Sequence, residues 1–228
     1  MTNNGFERIC SGINGIDNLI EGGYPFPSVI LVAGPAGTGK TTFAQQFLFS
    51  GADHDEIGLY FTTLSEPPQW VLHYMSHFGY INKEHLGKKV IYCDIGKLIR
   101  TATAEEIVAF IDDKVAETMA QRVVIDPITV AKEFLGTNYR SFLFDLVNHL
   151  KNWQAVTILT GEVETTQLYP TEVAYAVDGV ILLTYQEVDG ARRKHIEILK
   201  MRGTNHRTGL LSFAITRDEG IMVLTGNL

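Results

Sequence analysis

The chain alternates between short apolar runs and stretches in which apolar and polar residues mix at helical spacing. Six apolar runs predict strands, over residues 28–33, 57–64, 89–93, 122–126, 155–160 and 177–184. Continuous apolar runs of this length are typical of parallel strands that are covered on both faces. The pattern therefore predicts an α/β fold, with a mostly parallel β-sheet flanked by helices.

Helical spacing marks segments that lie before and between these strands. It predicts helices that start near residue 39, from about 69 to 77, over 103–119 and over 141–150. Thr103 followed by Glu106 has the spacing of a capping box, which places the start of the third of these helices. Four isoleucine and leucine residues within 13–20 share one helical face and predict a short packing helix ahead of the first core strand.

The pattern changes beyond residue 185. A β-hairpin is predicted, with arms at 182–186 and 192–200, and then an antiparallel pair at 209–216 and 220–224. We therefore expect C-terminal antiparallel strands beside the parallel sheet. One domain is predicted over 1–228, with an N-terminal segment 1–27, a parallel core 28–185 and C-terminal antiparallel strands 186–228.

Composition narrows the class of protein. The chain has 228 residues, 45% of them hydrophobic and 20% charged, which is ordinary for a globular protein. No apolar run approaches the ~20 residues that span a bilayer, and the first residues lack the apolar segment of a signal peptide. The only two cysteines, Cys10 and Cys93, suit reduced thiols. We expect a cytoplasmic protein without a membrane partner.

One glycine-rich stretch carries the clearest chemistry. Residues 34–41 read Gly-Pro-Ala-Gly-Thr-Gly-Lys-Thr and fit the phosphate-binding P-loop, between a predicted strand and a predicted helix. Glycines let backbone N–H groups approach an anion, and the helix N-terminus adds partial positive charge. The candidate ATP-binding residues are Gly34, Ala36, Gly37, Thr38, Gly39, Lys40, Thr41 and Thr42.

Carboxylates are expected at the same edge of the sheet. The apolar run 122–126 ends in Asp126, as in a Walker B motif, so Thr41 and Asp126 are the candidate Mg²⁺ ligands. Glu66 follows the second strand and has two interpretations, a base that polarises the attacking water or a carboxylate in the first turn of a helix. Thr160 and Glu162 end another strand and are candidate γ-phosphate sensors.

Basic residues concentrate near the C-terminus and include Lys200 and Arg202. Three interpretations stay open: a charged edge that blocks aggregation, a nucleic-acid patch, or trans-acting fingers that reach the nucleotide of a neighbouring subunit. The net charge of −7 and the scarcity of aromatic residues among these cations argue against nucleic acid.

Several separated motifs together resemble the KaiC-like branch of the RecA-type ATPases. They are the opening segment 11–23, the P-loop, the Val-Val-Ile-Asp of 123–126 and the segment Ile-Leu-Lys-Met-Arg-Gly-Thr-Asn-His at 198–206. The resemblance implies a RecA-like fold, slow ATP hydrolysis and a ring, usually a hexamer, with ATP between subunits. It assigns Lys200 and Arg202 to the γ-phosphate in trans, and implies protein phosphorylation in some members.

Two departures from the family pattern bear on function. The clock protein carries two such domains in tandem, and this chain has room for one. The family often has two adjacent glutamates after the second strand, where this chain has Ser65-Glu66. We therefore predict a Mg²⁺-dependent ATPase in which Glu66, Lys40, Lys200 and Arg202 act in catalysis, with very slow hydrolysis if the first glutamate is the effective base.

Three other functions remain open. Ser65 in place of a glutamate motivates a non-hydrolysing, ATP-gated assembly switch. A DNA-recombination ATPase and a protein Ser/Thr kinase have less support, since no DNA-binding appendage and no substrate hydroxyl can be identified. The expected setting is signalling or regulation, with a homo-oligomeric ring and regulatory protein partners that the sequence does not identify.

Overall fold

The structure is a computed structural model that describes residues 7–63, 68–163, 167–188 and 190–224. Its strands are β1 (Arg8–Ile9), β2 (Tyr24–Pro25), β3 (Ser28–Gly34), β4 (Gly58–Thr62), β5 (Val90–Asp94), β6 (Arg122–Asp126), β7 (Val156–Glu162), β8 (Gly179–Val188), β9 (Ala191–Met201), β10 (Leu211–Thr216) and β11 (Gly220–Val223). Its helices are α1 (Lys40–Ala52), α2 (Pro68–Met75), α3 (Gly96–Thr101), α4 (Ala104–Thr118), α5 (Ala131–Leu135), α6 (Tyr139–Asn152) and α7 (Thr171–Ala176).

Nine of the strands form one sheet in the order β11-β10-β9-β8-β3-β7-β6-β4-β5. Six strands run parallel to one another, namely β8, β3, β7, β6, β4 and β5. The other three, β9, β10 and β11, are antiparallel to the strands beside them. The predicted α/β class with a mostly parallel sheet and C-terminal antiparallel strands is confirmed. The hairpin and the final pair are confirmed too, although β8 continues past residue 185.

Strand β3 lies near the centre of the sheet, and its side chains alternate between two apolar cores. Val29, Leu31 and Ala33 pack on one face, with the helices α4, α6 and α7. Ile30 and Val32 pack on the other face, with α1. All seven residues of β3 are buried, as the unbroken apolar run predicts.

The helix expected over residues 13–20 is mostly absent. Only Asp17–Leu19 forms a 3₁₀ turn, while the four apolar side chains of this segment are buried as predicted. Gly15 has φ +91°, which interrupts right-handed helical backbone within the predicted span. The spacing of the apolar residues therefore predicted their burial correctly but not the backbone conformation.

Other element boundaries follow the sequence closely. Helix α4 has the predicted capping box, in which Thr103 Oγ1 accepts from the Glu106 N–H and the Glu106 carboxylate accepts from the Thr103 N–H. Three helices were not predicted: α3, α5 and α7 have six, five and six residues. Helices this short show too little periodicity to be read from a sequence.

Candidate nucleotide-binding site

The P-loop joins the carboxyl end of β3 to the start of α1, at the edge of a parallel sheet where ligands bind. Its backbone depends on glycine at three positions. A Cβ on Gly34 would lie 2.2 Å from the Leu183 carbonyl oxygen, so a neighbouring strand leaves no room for a side chain. Gly37 and Gly39 have φ of +78° and +111°, which L-residues rarely adopt.

Lys40 begins α1, and its side chain folds back over the loop. Its ammonium donates to the carbonyl oxygens of Gly34 at 2.9 Å and Pro35 at 3.1 Å. Burial lowers the pKa of Lys40, and the carboxylates of Glu162 and Asp126 oppose that shift. The ammonium therefore lies between the phosphate-binding loop and the carboxylate edge of the sheet.

Asp126 accepts hydrogen bonds from three hydroxyl groups. Thr41 Oγ1 and the Tyr60 phenol donate to Oδ2 at 2.8 and 2.6 Å, and Thr160 Oγ1 donates to Oδ1. Asp126 as a whole is 7% exposed. The two residues predicted to hold Mg²⁺, Thr41 and Asp126, are thus in direct contact, although 85 positions separate them in the chain.

A cleft of about 440 Å³ opens above these groups. Phe78 and Ile215 form an apolar part of its wall, and Glu162 lies on the carboxylate side. Lys194, on the β8–β9 hairpin, donates to the Gly37 carbonyl oxygen at 2.5 Å, and burial lowers its pKa. The cleft thus combines a glycine cradle, the Lys40 ammonium, carboxylates and an apolar wall, and Lys194 contacts the cradle at Gly37.

The residues of this cleft fit Mg·ATP. A Cβ would fill the cradle at Gly34, and Thr41 and Asp126 supply the hard oxygen ligands that Mg²⁺ prefers. Within the described ranges, no group of three or more His, Cys, Asp or Glu side chains comes together that could hold a metal ion. Mg²⁺ usually binds through one or two protein oxygens together with substrate phosphates, so two oxygens suffice.

Lys200 and Arg202 lie away from this cleft. The Lys200 ammonium donates to the carbonyl oxygens of Ala174 and Val177 at the end of α7, at 3.1 and 2.6 Å. Arg202 donates to Asp178 at 3.1 Å, at the start of β8. The Asp178 N–H bonds to the carbonyl of Val29, at the amino end of β3. Five residue steps of β3, ~17 Å, separate that level from the P-loop edge.

A second cavity, of about 570 Å³, adjoins these two cations. Its lining includes three cations, Lys151, Lys200 and Arg202, and the exposed aromatic side chain of Tyr175. None of its lining residues lines the P-loop cleft. Within one chain, the structure does not bring Lys200 and Arg202 to the P-loop.

The remaining predicted residues have mixed outcomes. Glu66 and Ser65 lie outside the described residues. Glu162 lines the P-loop cleft, whereas the buried Thr160 hydroxyl points to Asp126. Sequence reasoning missed Tyr60 and did not assign Lys194 to the cleft, because both contacts arise between distant segments. For Tyr60, the sequence held one signal of such a contact, because its hydroxyl is a polar group on an otherwise apolar strand.

No helix in the part of the chain that the structure describes is long and apolar enough to cross a membrane.

Comparison with known proteins agrees with this geometry. Residues 9–227 match the family of KaiC ATPases. A UPF0273 protein of Thermotoga maritima is 33% identical, over 95% of this chain and 96% of its own length. The circadian clock protein KaiC3 of Synechocystis is also 33% identical, over 96% of this chain and 46% of its own length. The chain therefore spans about half of KaiC3 and nearly all of the UPF0273 protein.

A solved structure has the same fold. The crystal structure of a KaiC-like protein from the hyperthermophilic archaeon Pyrococcus horikoshii matches with a TM-score of 0.84 at 33% identity. The match covers 96% of this chain and 99% of that chain. The nine-stranded sheet and its flanking helices are therefore a KaiC-like, RecA-type fold.

Proposed function

Because the chain belongs to the KaiC family of ATPases, we propose that it binds Mg·ATP in the P-loop cleft and hydrolyses ATP slowly. The observation that carries this proposal is the convergence of Lys40, Thr41 and Asp126 at one edge of the sheet. A cation, a hydroxyl and a carboxylate in this arrangement are what phosphoryl transfer from a nucleotide requires.

Each residue has a proposed role. Backbone N–H groups of residues 34–42 hold the phosphates, and Lys40 neutralises charge on the β- and γ-phosphates. Thr41 and Asp126 hold Mg²⁺, which neutralises the charge that develops during phosphoryl transfer. Glu66 orients the attacking water. The apolar wall that includes Phe78 and Ile215 is suited to the nucleoside end of the ligand.

We propose further that the protein acts as a ring-shaped homo-oligomer, a hexamer, with a site shared between subunits. Lys200 and Arg202 lie outside their own chain's cleft, and together with Lys151 they line the second cavity. An anionic ligand from another molecule would complement that charge. In this proposal the two side chains stabilise the phosphates bound to the neighbouring subunit.

The test is ATP hydrolysis per subunit across a protein dilution series, with Glu66→Gln beside the parent. We expect the rate per subunit to rise with concentration, and Glu66→Gln to lower it by ~10²–10⁴-fold. Glu84→Gln is the matched control, since Glu84 is an exposed carboxylate in the first turn of another helical segment. A rate per subunit that is independent of concentration would contradict the shared site.

A second candidate function is an ATP-gated assembly switch that does not hydrolyse. Ser65, where the family often has a glutamate, favours it. Tight Mg·ATP binding with no turnover, together with nucleotide-dependent assembly in sedimentation experiments, would support the switch over the ATPase. Both functions suit a regulatory protein, and the names of KaiC3 and KaiC among the relatives agree with such a setting.

A further inference from the structure

The Asp126 carboxylate is held more completely than the P-loop and Walker B motifs require. Thr41 belongs to the P-loop, and Thr160 lies two residues before the end of β7, but the third hydroxyl comes from Tyr60 in the middle of β4. The phenol lies 2.6 Å from Oδ2, the same oxygen that accepts from Thr41. This contact places an aromatic hydroxyl directly against the carboxylate of the proposed metal site.

We propose that Tyr60 is a positioning residue for Mg·ATP, because its phenol fixes the Asp126 carboxylate in the orientation that also accepts from Thr41. This inference rests on the proposed function, since it takes Mg·ATP as the ligand of the cleft. Tyr60 acts through Asp126 and is not itself a ligand of the ion.

The surroundings of Tyr60 hold its phenol against Asp126. Its side chain is 2% exposed, and its strand β4 lies directly beside β6, which carries Asp126. The buried phenol therefore has little room to move away from the carboxylate to which it donates a hydrogen bond.

The number of donors explains why the contact matters. A carboxylate has about four lone-pair sites, and three hydroxyl groups take one each. Rotation of the Asp126 carboxylate would break at least one of these bonds inside a nearly buried site. A carboxylate that is already fixed loses less conformational freedom when the ion binds, and such supporting contacts commonly change metal affinity or activity by ~10–100-fold.

A neighbouring tyrosine supplies a matched control. The rings of Tyr60 and Tyr92 lie 5.1 Å apart, and both are tyrosines on adjacent parallel strands. The Tyr92 phenol donates to the Gln45 side chain instead of Asp126. Tyr60→Phe and Tyr92→Phe thus remove the same atom from the same aromatic pair, and only the first removes a bond to Asp126.

The experiment measures ATP binding by calorimetry with excess EDTA and with saturating Mg²⁺. The ratio of the two dissociation constants is the gain in affinity that Mg²⁺ provides. We expect Tyr60→Phe to reduce this gain by ~10-fold and to leave binding in EDTA within ~2-fold of the parent. Tyr92→Phe is expected to keep the parent's gain. Electron paramagnetic resonance of Mn²⁺ added to the ATP complex gives a second, direct measure of metal affinity.

Each outcome decides the inference. An unchanged gain in Tyr60→Phe would overturn the positioning role and leave the proposed function standing. An equal loss in Tyr92→Phe would attribute the effect to packing and also overturn it. A parent chain whose ATP binding Mg²⁺ does not tighten would overturn both proposals. In an Asp126→Ala background, Tyr60→Phe is expected to cause no further loss, and a further ~10-fold loss would show that the phenol acts elsewhere.

Discussion

Lys40 and Lys200 make the same kind of contact in two different electrostatic settings. Each ammonium donates to two backbone carbonyl oxygens of its own chain. Around Lys40 the nearby charges are the carboxylates of Glu162 and Asp126. Around Lys200 burial, and then the positive charge of Arg202, lower the pKa, and Asp178 opposes them.

The difference lies in how charge is balanced. The P-loop cleft is lined by the carboxylates of Asp126 and Glu162 as well as by the Lys40 ammonium, so its own chain compensates that positive charge. The second cavity is lined by three cations and, among the described residues, by no carboxylate, with Asp178 close by as the anion bonded to two of them. Excess charge of one sign attracts a ligand of the opposite sign. The comparison therefore supports a nucleotide held in cis by the first region and approached in trans by the second.

The largest effect is expected for Arg202, and it tests directly whether this residue acts on the nucleotide of a neighbouring subunit. We predict that Arg202→Ala lowers ATP turnover by ~10³-fold or more, the size typical of an arginine finger, while ATP binding stays near that of the parent. Turnover and binding are measured on the same assembled protein. Arg100→Ala, at an exposed arginine on α3, is the control and is expected to keep the parent's turnover. Normal turnover in an Arg202→Ala ring would refute the trans role.

The proposed role of Lys40 in the cleft of its own chain has a smaller expected effect, which is on the affinity for ATP. Lys40→Ala removes a charged donor from the phosphate cradle, and we predict that the dissociation constant for ATP rises by ~10–100-fold. Lys200→Ala is the matched control, measured at a dilution at which the subunits are separate, and should leave the constant unchanged. A fluorescent ATP analogue measures both. Equal losses in the two variants would remove the distinction between the regions.

Sequence predicts what is local in the chain. The P-loop lies within eight consecutive residues, and Asp126 ends an apolar run, so strand, loop and carboxylate edge follow from patterns of a few residues. The parallel core follows from unbroken apolar runs, because β3 is buried on both faces. These features need no knowledge of which strands are neighbours.

Contacts between distant segments could not be predicted from the sequence in this way. Tyr60 reaches Asp126 across 66 positions, because β4 lies beside β6. Lys194 reaches Gly37 across 157 positions, because its strand β9 pairs with β8, which lies beside β3. Strand order decides both contacts, and hydrophobic periodicity does not encode strand order. The missing helix near Gly15 has a local cause, since backbone at positive φ interrupts a helix whatever the spacing of its apolar residues.

Alanine substitutions at one glycine in each region compare how rigidly the two regions are packed. A Cβ at Gly34 would meet the backbone carbonyl of Leu183 at 2.2 Å, whereas at Gly179 it would meet the ends of the Ile30 and Met201 side chains, at 2.6 and 3.0 Å. Side-chain ends can move and a central strand cannot. We predict a loss of ~3 kcal/mol in unfolding free energy for Gly34→Ala and ~1 kcal/mol for Gly179→Ala, measured by urea denaturation. The reverse order would contradict this account of the P-loop strand.

The smallest expected effect concerns Lys151, which pairs with Asp178 at 2.8 Å and is one of the charges that lower the pKa of Lys200. Lys151→Ala removes both the attraction between Lys151 and Asp178 and the repulsion between Lys151 and Lys200. Asp178 keeps Arg202 as a partner. We therefore predict a change below ~0.5 kcal/mol in unfolding free energy at low salt. Lys132→Ala is the control, because Lys132 pairs with Glu172 at 2.8 Å outside this group of cations.

An exposed pair of that kind contributes up to ~1 kcal/mol, and its contribution falls as salt is added. We expect the stability of Lys132→Ala to approach the parent's in high salt, and that of Lys151→Ala to follow the parent's at every salt concentration. A loss larger than ~1 kcal/mol in Lys151→Ala would mean that attraction to Asp178 outweighs repulsion from Lys200 and Arg202. The second region would then be balanced by its own chain, as the P-loop cleft is, and the charge argument for a nucleotide reached in trans would fail.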